Sequence, residues 1–285
     1  MKKLLALTLT ASLSLSLFAA DIFKYVPITG SVKTYTETEF SIASRFGTLY
    51  RTPSTKLLHV LDSNGKETTS SELTPKDAVI NTISSTYDTA GNLVEQLCTS
   101  ADGEVVWKNT FAYKNGLKVD ASEYDRKGAL RARTIYTYEG NLLTDESSYD
   151  GDGALIWKTI YKYDENNRIA SINEYNPDGT LSEQLSYSYT DSGAIDAIST
   201  LDPYKQTQTS RVFRYGTNGA LNEITTYDSS KQVTKRTLLK YDAKGNVNKV
   251  SEYDVAEKFG TTVNDLVAMS EFSFEYVGGS SADAK

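Results

Sequence analysis

The chain predicts an all-β fold: an extended antiparallel meander of tandem β-hairpin repeats, coiled into a twisted strip. Three observations predict it. A Tyr or its substitute recurs every 25 or 26 residues, at Leu61, Tyr87, Tyr113, Tyr138, Tyr163, Tyr189, Tyr215 and Tyr241. Each Tyr opens a polar phrase that commonly ends in Gly, as in "YDRKGAL" at 124, "YDGDGAL" at 149 and "YDAKGNV" at 241. Between the phrases apolar residues alternate with polar ones, the signature of a strand with one face on a core.

The first twenty residues run from Lys2 and Lys3 through an apolar stretch, Leu4 to Phe18, to Ala19 and Ala20. Basic, apolar and small segments in that order predict a secretory signal peptide over residues 1–20. The apolar run is too short, and too interrupted by Ser and Thr, for a membrane span. Residues 21–84 alternate in "VKTYTETEFSI" and "STKLLHVLD" but hold few clean turn phrases, which predicts an N-terminal cap or degenerate repeats.

Residues 85–277 form the array proper. A second series, Thr99, Tyr124, Tyr149, Tyr175, Leu201, Tyr227 and Tyr253, runs midway between the first, so one repeat holds two half-units and the whole predicts roughly fourteen strands. In each phrase Asp can accept backbone N–H bonds, and Gly supplies a positive φ for chain reversal. On the strand from Leu155 the set Leu155, Trp157, Thr159, Tyr161 and Tyr163 shares a face; from Leu130 the set is Leu130, Ala132, Thr134, Tyr136 and Tyr138. Ile169, Ser171, Asn173 and Tyr175 continue that face, which leaves Ile172, Ile198, Ile224 and Val250 as a thinner stripe on the reverse. "LDPYKQTQT" at 201 loses the turn Gly and predicts a bulge or altered turn, and the longer "YDVAEKFGTTVNDLVAMSEFSFEY" predicts a loop or short helix at "VNDLVAM" before a last strand. Residues 278–285 have the composition of a disordered tail.

Composition narrows the function classes. The full chain has 30 Lys and Arg against 37 Asp and Glu; without Lys2 and Lys3 the balance is 28 against 37, a net charge of −9. No basic run could neutralise a phosphate backbone, so nucleic acid is not an expected partner. Cys98 is the single cysteine and His59 the single histidine. An internal disulfide, a catalytic triad or a two-His metal site therefore cannot be assembled from them, and no cofactor motif is present. The turn residues Asp88, Asp125, Asp150, Asp164, Asp242 and Asp254 read as turn formers, with weak cation binding as the sharper alternative. Trp107 and Trp157 occupy equivalent positions two repeats apart. With Tyr136, Tyr161 and Tyr187 they are the candidate ligand-stacking surface, against a plain cross-strand packing role.

The phrase Y-x-Y-D-x-x-G-x-[L/I/V], seen as "YKYDENNRI" at 161, "YSYTDSGAI" at 187 and "FRYGTNGAL" at 213, resembles the YD repeats of bacterial Rhs-type proteins. The resemblance spans about residues 85–255 and implies a strip of β-hairpins in an envelope or secreted setting. The longer, two-part period and the absence of a recognisable toxin module in the sequence set this chain apart, so a toxin function does not carry over.

Together these observations predict an exported, non-enzymatic repeat protein. It would be periplasmic, cell-surface or secreted, with no transmembrane helix after signal removal, and would present a surface to an unknown protein or glycan. An outer-membrane β-barrel is the first alternative; against it stand Arg131, Arg133, Lys158 and Lys162 on the face opposite the Tyr ladder, and Glu183, Arg211 and Lys235 on the ladder itself. A carboxylate-dependent glycan hydrolase or lyase is the second.

Overall fold

A computed structural model describes residues 22–46, 48–258 and 260–278, with Arg45 described in its backbone alone. The expected signal peptide and all of the tail beyond Gly278 lie outside the described residues. Among the described residues a short 3₁₀ turn, η1 (Ile22–Lys24), is followed by strands alone. In order these are β1 (Val32–Arg45), β2 (Thr48–Leu61), β3 (Glu67–Leu73), β4 (Val79–Tyr87), β5 (Leu93–Ser100) and β6 (Val105–Lys114). Next come β7 (Leu117–Asp125), β8 (Leu130–Glu139), β9 (Leu142–Asp150), β10 (Leu155–Tyr163), β11 (Ile169–Tyr175) and β12 (Leu181–Tyr189). The last are β13 (Ile195–Asp202), β14 (Thr207–Tyr215), β15 (Leu221–Tyr227), β16 (Val233–Tyr241), β17 (Val247–Lys258) and β18 (Thr261–Tyr276).

Each strand pairs antiparallel with the next, as the meander requires, and β1 also pairs with β18, for example Tyr35 with Phe274. The 18 strands therefore close into a barrel, where a strip of roughly fourteen was expected. Closure removes both sheet edges and with them the exposed N–H and C=O rows that invite foreign strands. Residues 32–87 supply β1 to β4 of the same sheet. "VNDLVAM" lies within β18 rather than in a loop or helix, because its backbone pairs with β17 from Ser251 to Ala256.

Turns follow the predicted chemistry. In the loop after β7 the Gly128 N–H donates to Asp125 O at 2.9 Å, while Asp125 Oδ1 accepts from Lys127 N at 2.8 Å and Ala129 N at 2.9 Å. Gly128 takes φ +80°, and Asn167 and Lys231 take φ 59° and 61° where their phrases lack the Gly. The altered phrase at 201 differs as expected: Asp202 pairs with Thr207 and Leu201 with Gln208 without the register shift seen in its neighbours.

That register shift overturns the expected face of the second apolar stripe. Tyr163 pairs with Ile169 but Lys162 pairs with Ser171, so one extra residue bulges from β11 and reverses its alternation. Ile172 consequently pairs with Tyr161, and Ile198, Ile224 and Val250 pair with Tyr187, Phe213 and Leu239. The two stripes share one face. At the opposite end Tyr124 pairs with Leu130 while Glu123 pairs with Ala132, so Tyr124 and Leu130 point away from that face. The same shift moves Leu155 out of the ladder with Tyr149, and Tyr175 faces away beside Lys158.

The ladder face is the inner one. Phe23 packs edge-on against Tyr35 of β1 and Phe272 of β18 at 5.8 and 5.1 Å, and Tyr25 against Phe213 of β14 at 4.9 Å. Along the wall, β14 and β1 are five strand spacings apart, about 24 Å, whereas two residues of chain reach about 7 Å. A short segment inside the ring touches both, and Ile22 is buried with the core there. Asn246 holds the segment in place, with its Oδ1 accepting from Thr29 N at 2.7 Å and its Nδ2 donating to Thr29 O at 3.0 Å. Around the segment, Ile198, Phe213, Leu221, Ile224, Leu239, Val247 and Val250 form a buried core. Each such side chain contributes roughly 1.5–3 kcal/mol by leaving water.

Candidate functional site

The five residues of the candidate stacking surface all lie on the inner face. Tyr136 and Trp157 are buried, and Trp107, Tyr161 and Tyr187 are half-buried. They do not form one patch: Trp107 pairs with Cys98, Trp157 with Ser148, Tyr136 with Glu146, and Tyr187 with Ile198 beyond them. Tyr136 and Tyr161 do meet, across Glu146. The Tyr161 hydroxyl donates to Glu146 Oε1 at 3.1 Å, and Lys118 Nζ sits 4.3 Å from the Tyr136 ring centre. Burial raises the Glu146 carboxyl and lowers the Lys118 ammonium, each partly offset by the attraction of the other.

A second inner cluster stands on β1 to β3. His59 stacks on Tyr35 at 4.2 Å between centres and 4° between planes, and its Nδ1 lies 2.6 Å from Glu67 Oε2. This puts the single histidine in line with the ladder, where later repeats carry Phe111, Tyr136 and Tyr161. Along β1, Glu37 and Glu39 project to the same face and are 2% and 9% exposed. Neither Oε1 has a hydrogen-bond partner. Burial pushes the Glu37 carboxyl up to about 7; Ser270 opposes the rise by hydrogen bonding and Glu39 adds to it by repulsion. Glu39 is raised by burial and then by Glu72. The Glu37 carboxyl can hold a proton near neutrality. Alternation in "TETE" would have placed Glu37 and Glu39 together, but their burial depends on the contact of β1 with β18.

The turn aspartates do turn work. Hydrogen bonds lower the carboxyls of Asp88, Asp125 and Asp164 from their ordinary value, from the Asn92 side chain first at Asp88, and from backbone N–H groups first at the other two. Asp150 and Asp242 accept the same pair of N–H bonds. Asp254 instead lies within β17, with its carboxylate 3.4 Å from Lys235 Nζ. Among the described residues no group of three or more His, Cys, Asp and Glu is arranged to hold a metal ion. Cys98 is buried, and burial raises its thiol, with Glu72 adding to the rise.

The outer wall carries a pattern that sequence reasoning missed. Cross-strand ion pairs recur at equivalent places in successive hairpins: Glu95 with Lys108 at 4.0 Å, Asp120 with Arg133, Asp145 with Lys158 at 3.5 Å, and Glu223 with Arg236 at 2.8 Å. Asn173 and Gln184, directly opposite each other, add an amide hydrogen bond of 2.8 Å between β11 and β12. The 25-residue steps from Glu95 to Asp120 to Asp145, and from Lys108 to Arg133 to Lys158, are the signal that could have found them. An open outer groove of about 430 Å³ lies beside β1, lined by Thr38, Phe40, Lys240, Asn248, Lys249 and Glu271 among others.

Ring closure, hairpin order and an inward aromatic ladder define the molecule as a closed antiparallel β-meander barrel. No protein-family model matches the chain, and no curated protein matches it. Among solved structures it is similar to a porin-like protein from Bacteroides uniformis, at 12% identity and a TM-score of 0.48, covering 86% of this chain and 96% of that one. It is also similar to TcdB2-TccC3 without its hypervariable C-terminal region, at 14% identity and a TM-score of 0.31, over 77% of this chain and 15% of that one. The Photorhabdus luminescens Tc holotoxin pore matches at 13% identity and a TM-score of 0.30, over 74% of this chain and 16% of that one. All three scores fall below 0.5, and the fold described above rests on the strand pairings of this chain.

Proposed function

We propose that this chain is an exported, non-enzymatic barrel of the bacterial envelope that presents its outer wall to a protein or glycan. Closure into an 18-stranded ring fits the outer-membrane-barrel alternative better than it fits an open strip with one broad face. The observation that supports the proposed reading is the chemistry of the wall. Lys or Arg at the midplane of a lipid-facing wall costs roughly 2–4 kcal/mol each. Lys108, Arg133, Lys158 and Arg236 point outward here with their acidic partners. A wall of that kind is stable in water, which supports a barrel bathed by the periplasm or the exterior. The second reading, an integral outer-membrane barrel, is favoured by closure alone.

Fractionation of cells that express the chain with its own leader tests the two. Release by osmotic shock, or into the medium, without detergent supports the proposed reading. Retention with the outer membrane through salt and carbonate washes, with release by detergent alone, overturns it in favour of the second.

A further inference from the structure

Four strands outrun the barrel. β1, β2, β17 and β18 have 14, 14, 12 and 16 residues, against 7 to 10 in the others. Contact of β1 with β18 stops at Phe40 and Met269, and contact of β2 with β3 stops at Lys56 and Leu73. Beyond these points β1 and β2 pair with each other alone, from Ser41 with Thr52 to Arg45 with Thr48. Five paired positions at about 3.4 Å each make an arm that stands about 17 Å clear of the wall.

The arm differs from the body in both polarity and charge. Its tip exposes Phe46 fully, and Leu49 and Tyr50 by half. Large apolar side chains concentrated at the end of a projecting hairpin contribute nothing to the barrel core. Residues 41–55 contain Arg45 and Arg51 and no Asp or Glu, in a chain whose net charge is −7. At the arm's base Arg51 and Lys249 share Glu271, at 3.2 and 3.1 Å, which leaves that triad one positive charge in excess. The companion arm of β17 and β18 is mixed instead, with Glu257 beside a Lys258–Asp265 pair.

We propose that the β1–β2 arm attaches the barrel to an anionic lipid bilayer, with Phe46, Leu49 and Tyr50 in the headgroup and acyl boundary and the arm's cations over lipid phosphates. The occupant follows from charge complementarity and reach. At physiological salt the Debye length is about 8 Å, so a tip about 17 Å from the barrel body is screened from the net negative charge of that body. Aromatic side chains suit the boundary because one ring presents an apolar body and, in Tyr50, a polar end. The proposal is independent of what the outer wall binds.

Sedimentation of the purified barrel with vesicles tests it. Binding is expected to vesicles of equal parts phosphatidylglycerol and phosphatidylcholine and to be much weaker with phosphatidylcholine alone. The triple change Phe46→Ala, Leu49→Ala and Tyr50→Ala should weaken binding tenfold or more, and Arg45→Gln about fivefold with a shallower salt dependence. Phe46, Leu49 and Tyr50 lie outside the core, and an unchanged melting temperature confirms that each variant is folded. Equal binding to both vesicle types, or no loss in the triple variant, overturns the proposal. So does a wild-type barrel that ignores both vesicles and self-associates through the same three residues.

Discussion

The Tyr163 hydroxyl donates to the Leu143 carbonyl at 2.8 Å, across the neighbouring strand and twenty residues back. The same reach joins Tyr87 to Glu67, Tyr138 to Lys118, Tyr189 to Ile169, Tyr215 to Ile195 and Tyr241 to Leu221, at 2.6 to 2.8 Å. Each ring packs inward while its hydroxyl satisfies a backbone acceptor near one end of the ring of strands, so a single residue type supplies burial and registration in these six repeats. Tyr163→Phe should therefore cost about 1 kcal/mol, the net worth of one hydrogen bond, with the packing kept. Tyr163→Ala should cost several times more, because it also opens a cavity. Urea unfolding of both variants checks the ratio.

Asp125 and Gly128 separate the two physical demands of a turn. Asp125→Ala removes an acceptor shared by two N–H groups and should cost about 1 kcal/mol, whereas Asp125→Asn keeps an acceptor oxygen and should cost less. A methyl group on Gly128 would have nothing within 4 Å of it beyond its chain neighbours, so Gly128→Ala meets no clash. Its φ of +80° still makes the change unfavourable by about 1 kcal/mol or more through the backbone alone. Equal stability of wild type and Gly128→Ala in a melting series would show that the turn relaxes at no cost.

Much of this was legible beforehand, for identifiable reasons. Tyr and its acidic turn recur because each hairpin solves the same local problem, so period, strand direction and turn chemistry are all written within about 26 residues of one another. Closure was not. It depends on Tyr35 meeting Phe274 across the whole chain, and neither residue belongs to the clean repeat. The bulges escaped because counting every second residue passes over the one extra residue that reverses a strand, as at Ile169 to Ile172. The candidate aromatics Trp107, Trp157, Tyr136, Tyr161 and Tyr187 share the inner face without forming one patch, and the pattern alone did not say that this face points into a ring. Glu37 and Glu39 were passed over because burial, not spacing, sets them apart.

Glu37 gives the pH dependence a sign. Its folded value is about 7, above the ordinary 4.5, so the folded state holds the proton more tightly than the unfolded chain does. At pH below the ordinary value both states are protonated and folding carries no penalty. As pH rises through the window from 4.5 to about 7 the unfolded chain ionises first, and stability falls until both states are charged. The loss should approach about 3 kcal/mol at most. Glu37→Gln should flatten that part of the curve, in chemical denaturation compared across the window. The turn aspartates, with lowered values, act in the opposite direction at lower pH, so a loss of stability below the window does not bear on Glu37.

Trp157 and Ile135 test which side of the wall is dry. Trp157 is 8% exposed on the inner face, and Trp157→Ala should destabilise the barrel by about 3 kcal/mol or more. Ile135 is 38% exposed on the outer face between Arg133 and Thr137, where neighbouring charges are already solvated. In a wall that stands in water, Ile135→Lys should change stability by no more than about 0.5 kcal/mol. In a wall that faces hydrocarbon the same change should cost about 2–4 kcal/mol and lower the yield of assembled barrel. The difference between the two expectations exceeds the error of a denaturation experiment, and it grows if Leu130, also outward, is replaced by Lys in the same chain. A tolerated double variant that still melts cooperatively would fix the charged wall as the wet one. A variant that assembles only in detergent would assign that wall to lipid and the aromatic ladder to the interior of a membrane barrel.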